Sequence, residues 1–484
     1  FGGGMGALPL DDDYAVLRRG LWLATDGSYK AAVSDIAQKR AVLANRTRRT
    51  DLPDFSREDP VTTIDTVPVP RLDRSAVEGV VRGASAVFQT TPDVHQSEVS
   101  WSGGFVRTWY VNSEGTSYTR VAPWGSVHAR ARTQATDGLP LEDGIAEYRD
   151  TPDDLPGREA LTRQVQQFAT RFTKLRDTPP SETYNGPVLF EGTAAAELFA
   201  LAMGSDFSAD RAPVSENGMF NRMGMGEGLI DQIGSRVLPR SFTVIENPTI
   251  RRFEGRLIGG ALVDDEGVRT RETRLVERGV LKTLLTTRVP VTGIPRSSGS
   301  RRGSGPGITN LFVSSDSGLT DAQLKKRALA LAAEQGSNGY AIVIRRIGSG
   351  GGGRGGIMAA MRAAGIGGGG AAGAIPVAEA VKLYPDGREE PIRGALLAGV
   401  SDAAFKEIAA ASRSRTALTL PARAGLRGMV TMFSMRRSSF AGFGQTATYV
   451  VPSLLFEVLS IRKPTGVGKA PPAFRPPWAV TSRE

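Results

Sequence analysis

Apolar residues recur at helical spacing in three stretches of the first third of the chain. Leu17, Leu21 and Ala24, then Ala32, Ile36 and Val42, predict helix through residues 1–50, with Asp11, Asp12 and Asp13 placed to cap its start. Val77, Val80, Val81, Ala84, Val87 and Phe88 keep an i, i+3, i+4 stripe and predict a second helix. Leu161, Val165, Phe168, Phe172 and Leu175 predict a third over 157–175. The Pro- and Asp-rich residues 51–72 between the first two read as an extended connection. Between 96 and 137 the period falls to two. The runs QSEVSW, FVRTWYV, TSYTRVA and SVHARARTQ are separated by SGG, NSEG and PWG and predict an antiparallel meander of short strands.

From Asn185 the pattern becomes strand, helix, then many strands. Pro187 to Phe190 is a short apolar strand, and Thr193 to Met203 is an Ala-rich helix. Strands follow at Phe242 to Ile245, Leu257 to Val263, Thr273 to Val276 and Val280 to Leu285, with turns at Asp264-Asp265-Glu266-Gly267 and Glu277-Arg278-Gly279. Thr320-Asp321-Ala322-Gln323 is a capping box opening a helix that ends near Gly336. Tyr340 to Ile347, Val377 to Tyr384 and Pro391 to Gly399 return to β, Ser401 caps a short helix, and the last strands are expected at 429–435 and 448–460. The fold class is therefore α+β. An N-terminal α+β domain (1–180) precedes a β-rich, barrel-like domain (181–464), and a Pro-rich tail (465–484) follows. The Gly-rich stretch 348–373, with 13 Gly in 26 positions, reads as a surface loop, since no Lys-Ser/Thr and no helix follows its glycines to make a phosphate cradle.

Composition then removes whole classes of chemistry. The 484 residues contain no Cys and two His, His95 and His128. Disulfides, thiol nucleophiles, iron–sulfur clusters and Cys-based zinc sites are absent, and few candidates remain for a Ser-His-Asp triad. Both His fall at or in predicted strands and read as half-exposed strand residues. The net charge of +10 rests on 50 Arg and 10 Lys spread through every region near acids. A nucleic-acid binder would gather that charge on one face with aromatics between, so no nucleic-acid partner is expected. No apolar run approaches the ~20 residues of a membrane span. The chain opens on Phe1, as would the middle of a longer precursor.

Three segments could carry chemistry. Asp264, Asp265 and Glu266 form the densest acidic cluster and are weak candidates for a hard cation, with an acidic turn as the plainer reading. Residues 288–303 are basic and Ser-rich, and Arg288, Arg296, Ser298, Ser300 and Arg301 are candidates to hold a peptide through backbone and guanidinium donors. The helix region 191–210 carries Glu197, Asp206 and Asp210 but no His, whereas a helical metallopeptidase site needs two His one turn apart and a Glu.

The words GPVLFEGTAAAELFALAMGSDFSAD, RVLPRSFTVIENPTI, LVDDEGVRTRETRLVERGVLKTLLTTR and SSGSRRG…TNLFV, in that order and spacing, resemble the TldD/PmbA family of metallopeptidases. NSEGTSYTR (112–120), ATDG (135–138), DGREEPIRG (386–394) and VVPSLLFEVLSI extend the resemblance over roughly Phe1 to Pro464. Active members carry HExxxH on a helix and a third metal ligand, a Cys, near the C-terminus. Laying that motif on this chain puts Ala200 and Ser205 at the His positions and Leu201 at the Glu position. The resemblance thus implies a degenerate subunit of the PmbA (TldE) kind: no catalytic residues, the family's zinc site lost, no cofactor. It implies two subunits, either copies of this chain or this chain with an HExxxH-bearing TldD-like paralogue, enclosing an unfolded peptide held as an added strand. A self-assembling structural protein and a hydrolase with relocated chemistry (Ser205, Asp206, Asp210 or the acidic turn) are the alternatives. The stretch FGGGMGALPLDDDYAVLRRGLWLATDGSYKAA resembles a TldD-related subgroup with exported precursors, so a bacterial periplasmic or secreted protein is expected, cytoplasmic being the alternative.

Overall fold

The computed structural model describes residues 12–44, 52–211, 229–303, 305–337, 339–348, 374–422 and 445–463. The body of the Gly-rich stretch, the strand expected at 429–435 and the Pro-rich tail lie outside these residues.

The first helix runs Tyr14–Leu43, with the Asp13 carboxylate accepting the Val16 N–H at 3.0 Å. The second, Arg74–Ser85, is capped in the same way by Asp73 and continues as a 3-10 turn, Ala86–Thr90. The third is Arg158–Lys174. Helices two and three pack on one face of a sheet made of Gln96–Val111, Ser117–Gln134 and Pro140–Arg149, with Thr62–Ile64 added in parallel. The core between them holds Val127, Ala129 and Ala131 from the sheet and Leu161, Val165, Phe168 and Phe172 from the helix. Phe168 meets Phe88 edge-on and stacks on Phe172, geometries that add to the area they bury.

The meander differs from its expected form. SGG and PWG are not turns: two continuous strands of 16 and 18 residues run through them, and Gly103 pairs with Gly125. These glycines serve close packing. A Cβ on Gly125 would stand 2.9 Å from Pro152 Cα and 2.8 Å from Leu155 Cδ1, and one on Gly103 2.6 Å from the Trp101 ring. The segment Pro152–Leu155 can lie on the sheet only because both side chains are missing there.

In the C-terminal half, five strands close into a barrel. Tyr184–Phe190 pairs in parallel with Ala341–Ile347, which pairs antiparallel with Ile375–Leu383. That strand meets Leu396–Ala398, which meets the final strand Thr446–Arg462, and the final strand returns to Tyr184–Phe190. Alternation sorts the side chains. Val188, Phe190, Ile342 and Ile344 join the main core, whereas Leu189, Ala341 and Val343 face the helix Asp321–Glu334 through Leu324, Ala328 and Leu331. That helix begins at the expected capping box, Thr320 with Gln323. Beyond the barrel the sheet extends from the final strand through Asn310–Ser315, Phe242–Glu246 and Thr273–Glu277. The architecture is α+β with a barrel-like C-terminal half, as expected.

Three local readings differ. Leu257 to Val263 is not a strand: Arg256–Leu257 pairs only with Arg252–Phe253, and the N–H groups of Ile258 and Ala261 go to Arg251 and Pro248 across Gly259 and Gly260. The ladder at 280–285 covers only Val280–Leu281, with one more bond from the Lys282 N–H to Leu275, and by Leu285 the N–H has turned to the Phe207 carbonyl. Ile408–Pro421 is a long strand that no apolar run announced, its Ala, Ser and Arg residues being drawn into β by pairing with the final strand.

Buried polar contacts join the two halves. Arg346 pairs with Asp143 and donates to the Gly144 carbonyl, and Arg171 pairs with Glu379 at 2.7 Å. Arg393 grips Asp137 with two nitrogens, at 3.0 and 2.5 Å. Between them sits a ring. Asp150 accepts the Thr446 hydroxyl, Arg302 donates to the Thr446 carbonyl and to the Thr309 hydroxyl, and Glu246 accepts the Thr309 N–H at 3.1 Å. Burial raises Glu246 from 4.5 to about 8 and Asp150 from 3.8 to about 6, more than the Arg302 charge and these bonds lower them. A carboxyl whose folded pKa exceeds its unfolded value binds an extra proton in the folded state, so its contribution to stability falls as pH rises between the two values. Denaturant unfolding at pH 5 and pH 8 is expected to show Glu246→Gln matching the parent at pH 5 and exceeding it at pH 8 by on the order of 1–3 kcal/mol; equal differences at both values would contradict a titrating Glu246.

Candidate functional site

The helix Thr193–Ala202 follows Gly192, whose φ of 56° turns the chain off the barrel strand. It is apolar nearly all round, which is why it is buried: Ala194, Ala195, Ala196, Leu198, Phe199 and Ala200 all lie in the main core. Phe199 stacks on Phe207 and meets Phe405 edge-on. Ala200 points its methyl into this core, Leu201 packs against it half-buried, and Ser205 sits half-buried in the turn that follows. Gly204 closes that turn. A Cβ there would lie 2.5 Å from the Ala200 carbonyl and 2.8 Å from the Tyr449 hydroxyl. Tyr449 is buried, which pushes its phenol well up and keeps it neutral.

One acid lies on this helix. Glu197 accepts the Ile347 N–H at 2.6 Å, and burial raises it to about 7 beside Arg346, Asp143 and Glu379. It ties the helix to the barrel rim where the N-terminal half docks. Asp206 lies half-buried after the helix. Asp210, raised by burial, takes its own strand of contacts from the Arg211 N–H and the Arg301 charge.

The acidic turn and the basic loop, far apart in sequence, form one interlocked unit. Asp264 accepts the N–H groups of Glu266, Val268 and Arg301, at 2.9, 2.9 and 3.0 Å. Asp265 takes Arg120 at 2.5 Å on one oxygen and the Gly303 N–H at 2.6 Å on the other. Glu266 accepts the Arg288 N–H at 2.9 Å and pairs with Arg301 at 3.5 Å. Every oxygen of the three carboxylates thus meets a nitrogen donor. Asp264 rises to about 7 through burial, offset by its three N–H donors, whereas Arg120 holds Asp265 low despite its burial.

The loop's own side chains are spent in the same way. Arg288 grips Glu114 at 2.5 and 2.8 Å and donates to the Ser56 carbonyl. Ser298 is buried, donating to the Thr286 carbonyl and to Ser300, which is buried too. Of the five loop candidates, Arg296 is exposed. His128 stands in the strand Ser117–Gln134, edge-on to Tyr148, and His95 directly precedes the strand Gln96–Val111; burial lowers both. The structure therefore joins residues 264–266 to 288–303, with Asp210 beside them through Arg301 and Glu266, and leaves Glu197 apart on the helix. Sequence reasoning missed Arg346, Asp143, Arg171, Glu379 and the Asp150–Arg302–Glu246 ring, because each ion pair spans the two halves and leaves no local pattern. Asp264→Ala strands three N–H donors, that of Val268 buried and those of Glu266 and Arg301 half-buried, and is expected to cost about 2 kcal/mol or more in urea unfolding; a change under about 0.5 kcal/mol would remove the turn from its role as the loop's anchor.

Comparison with known proteins adds a family and a fold. A family model described as the PmbA/TldA metallopeptidase C-terminal domain matches residues 181–335. No curated protein matches the sequence. Three solved structures share the fold at low identity. One, described as a candidate modulator of a DNA gyrase from Thermotoga maritima, is 17% identical, with 81% of this chain and 74% of that chain covered and a TM-score of 0.54. TldE from Thermococcus kodakarensis is 15% identical, with 93% and 85% covered and a TM-score of 0.51. A candidate DNA gyrase modulator from Bacteroides thetaiotaomicron is 12% identical, with 87% and 80% covered and a TM-score of 0.54. Residues 181–335 thus match the PmbA/TldA metallopeptidase C-terminal domain, and the chain shares the fold of these three structures over most of its length.

Proposed function

We propose that this chain is a non-catalytic subunit of the TldD/PmbA type, which pairs with a second subunit and encloses an unfolded peptide without cutting it. The observation that carries the reading is the filling of the three motif positions. Ala200 and Leu201 hold carbon where a metal ligand and a base would stand, and the Ala200 methyl is packed in the core. Ser205 is a poor zinc ligand. A catalytic zinc takes three protein donors and leaves a position for water. The donor set at this helix does not fit that requirement, and the chain has no Cys to serve as a third ligand. Among the described residues, no three His, Cys, Asp or Glu side chains are grouped to hold a metal. Without a metal the helix has no Lewis acid to activate water, and its one carboxylate, Glu197, is engaged with the Ile347 N–H.

Peptide holding needs less. An extended chain added to a sheet edge bonds through its backbone, largely without regard to sequence. Ile408–Pro421 supports this role. It pairs along one side with the final strand, and among the described residues its other side carries the single bridge Ser412 to Leu319. The second subunit is another copy or an HExxxH-bearing paralogue. Among the described residues no helix is long and apolar enough to cross a membrane, and a bacterial periplasmic or secreted location is proposed.

Stoichiometric zinc added to the pure protein is expected to give no peptidase activity and no shift in melting temperature. A clear upward shift would overturn the reading, because an ion bound specifically to the folded state must stabilise it. The combined variant Ala200→His, Leu201→Glu and Ser205→His is expected to stay inactive for want of a third ligand. Native mass spectrometry giving an assembly much larger than a dimer, with no peptide carried, would favour a self-assembling structural protein instead.

A further inference from the structure

The N-terminal sheet is covered on one face by a helical layer that ends early. Over Val127, Ala129 and Ala131 lie Leu161, Val165, Phe168 and Phe172. Over Gly103 and Gly125 lie Pro152 and Leu155. Farther along, Phe105, Arg107, Trp109 and Val111 continue on that same face at alternate positions, with the Arg107 guanidinium over the Trp109 ring. Ile64 joins them, because Ile64 and Trp109 both pair with Thr119. These side chains are open to solvent: Trp109 is 71% exposed, Ile64 73% and Val111 78%. A sheet face of this kind asks for a helix.

The same chain displays such a helix. In Tyr14–Leu43, Trp22, Tyr29, Val33 and Ile36 are spaced by seven, four and three residues, which puts them on one stripe. Trp22 is 65% exposed and Tyr29 69%. Among the described residues the helix's side-chain bonds run within itself, Thr25 to the Leu21 carbonyl and Lys30 to Asp26. The two surfaces agree in length: Trp22 to Ile36 spans about 21 Å of helix, and Phe105 to Val111 about 20 Å of strand.

The geometry points to a second copy of this chain as the occupant of both surfaces, the helix of each protomer lying across the open sheet face of the other. A foreign partner on the helix would leave the sheet face bare, and one on the sheet would leave the helix bare. A two-fold pair covers all four surfaces with one isologous contact. The eight side chains, at roughly 100 Å² each, would remove about 800 Å² per protomer, the size of a standard stable interface. The inference rests on the paired-subunit reading above and names the surface through which that pairing occurs.

The absence of Cys makes the test direct, since any disulfide must come from introduced residues. Trp22→Cys and Trp109→Cys proteins, mixed in equal amounts and mildly oxidised, are expected to yield a covalent dimer of one of each on a non-reducing gel. A chain carrying both substitutions that closes its disulfide within the monomer, or a mixture that forms no such dimer, would overturn the exchange. Trp22→Glu and Trp109→Glu, both at exposed positions, are expected to keep their circular dichroism while weakening dimerisation roughly 100-fold in analytical ultracentrifugation. A parent dimer that survives both substitutions leaves the pairing standing and removes this surface from it. A parent that stays monomeric removes self-pairing altogether.

Discussion

The strand Thr446–Arg462 pairs with four others: Tyr184–Phe190, Asn310–Ser315, Leu396–Ala398 and Ile408–Pro421. Its first eleven residues are buried on both faces. Backbone groups so placed cannot reach water, so each must find its partner in a neighbouring strand. That demand closes the barrel, because the strand must meet Tyr184–Phe190 at Leu455 and Leu189 and also meet Leu396–Ala398 at Ile461. It also sets the place of the helix Thr193–Ala202, which leaves the barrel strand at Gly192 and packs Phe199 beside Phe405, itself against Phe456 of the final strand.

The joint between the halves rests on another kind of bond. Arg346, Arg393, Arg120, Arg288 and Arg302 each cross from one half to a partner in the other, or to the ring that links them. Guanidinium suits this work, since it stays charged and offers several donors in fixed directions. Removing Arg120 leaves Asp265 largely buried without its guanidinium partner, a larger loss than the pair's own net contribution. The Arg-rich composition thus has structural use at the joint, whatever its origin in the rest of the chain.

Much was legible where the physics is local. Asp13, Thr320 and Ser401 cap helices as their sequence positions imply, because a side-chain oxygen there meets free N–H groups one turn ahead. The buried face of Arg158–Lys174 matches its apolar stripe. Reading failed where a residue answers to something distant. Gly103 and Gly125 look like turn residues but make room for Pro152 and Leu155. Ile408–Pro421 is strand because the final strand lies beside it. Asp264 to Glu266 read as an acidic turn, but their contacts to Arg120 and to the loop more than twenty residues on leave no trace in the local pattern.

The sequence by itself determined the α+β class, the family resemblance and the residue types at Ala200, Leu201 and Ser205, since residue type and local periodicity are properties of the chain alone. Tertiary structure decided that the acidic turn and the basic loop are one unit, that Glu197 and Arg346 tie the helix Thr193–Ala202 to the N-terminal half, and that a helix and a sheet face are left open together. Hydrogen bonds and ion pairs between distant segments depend on where the backbone has carried them, and no spacing along the chain records that.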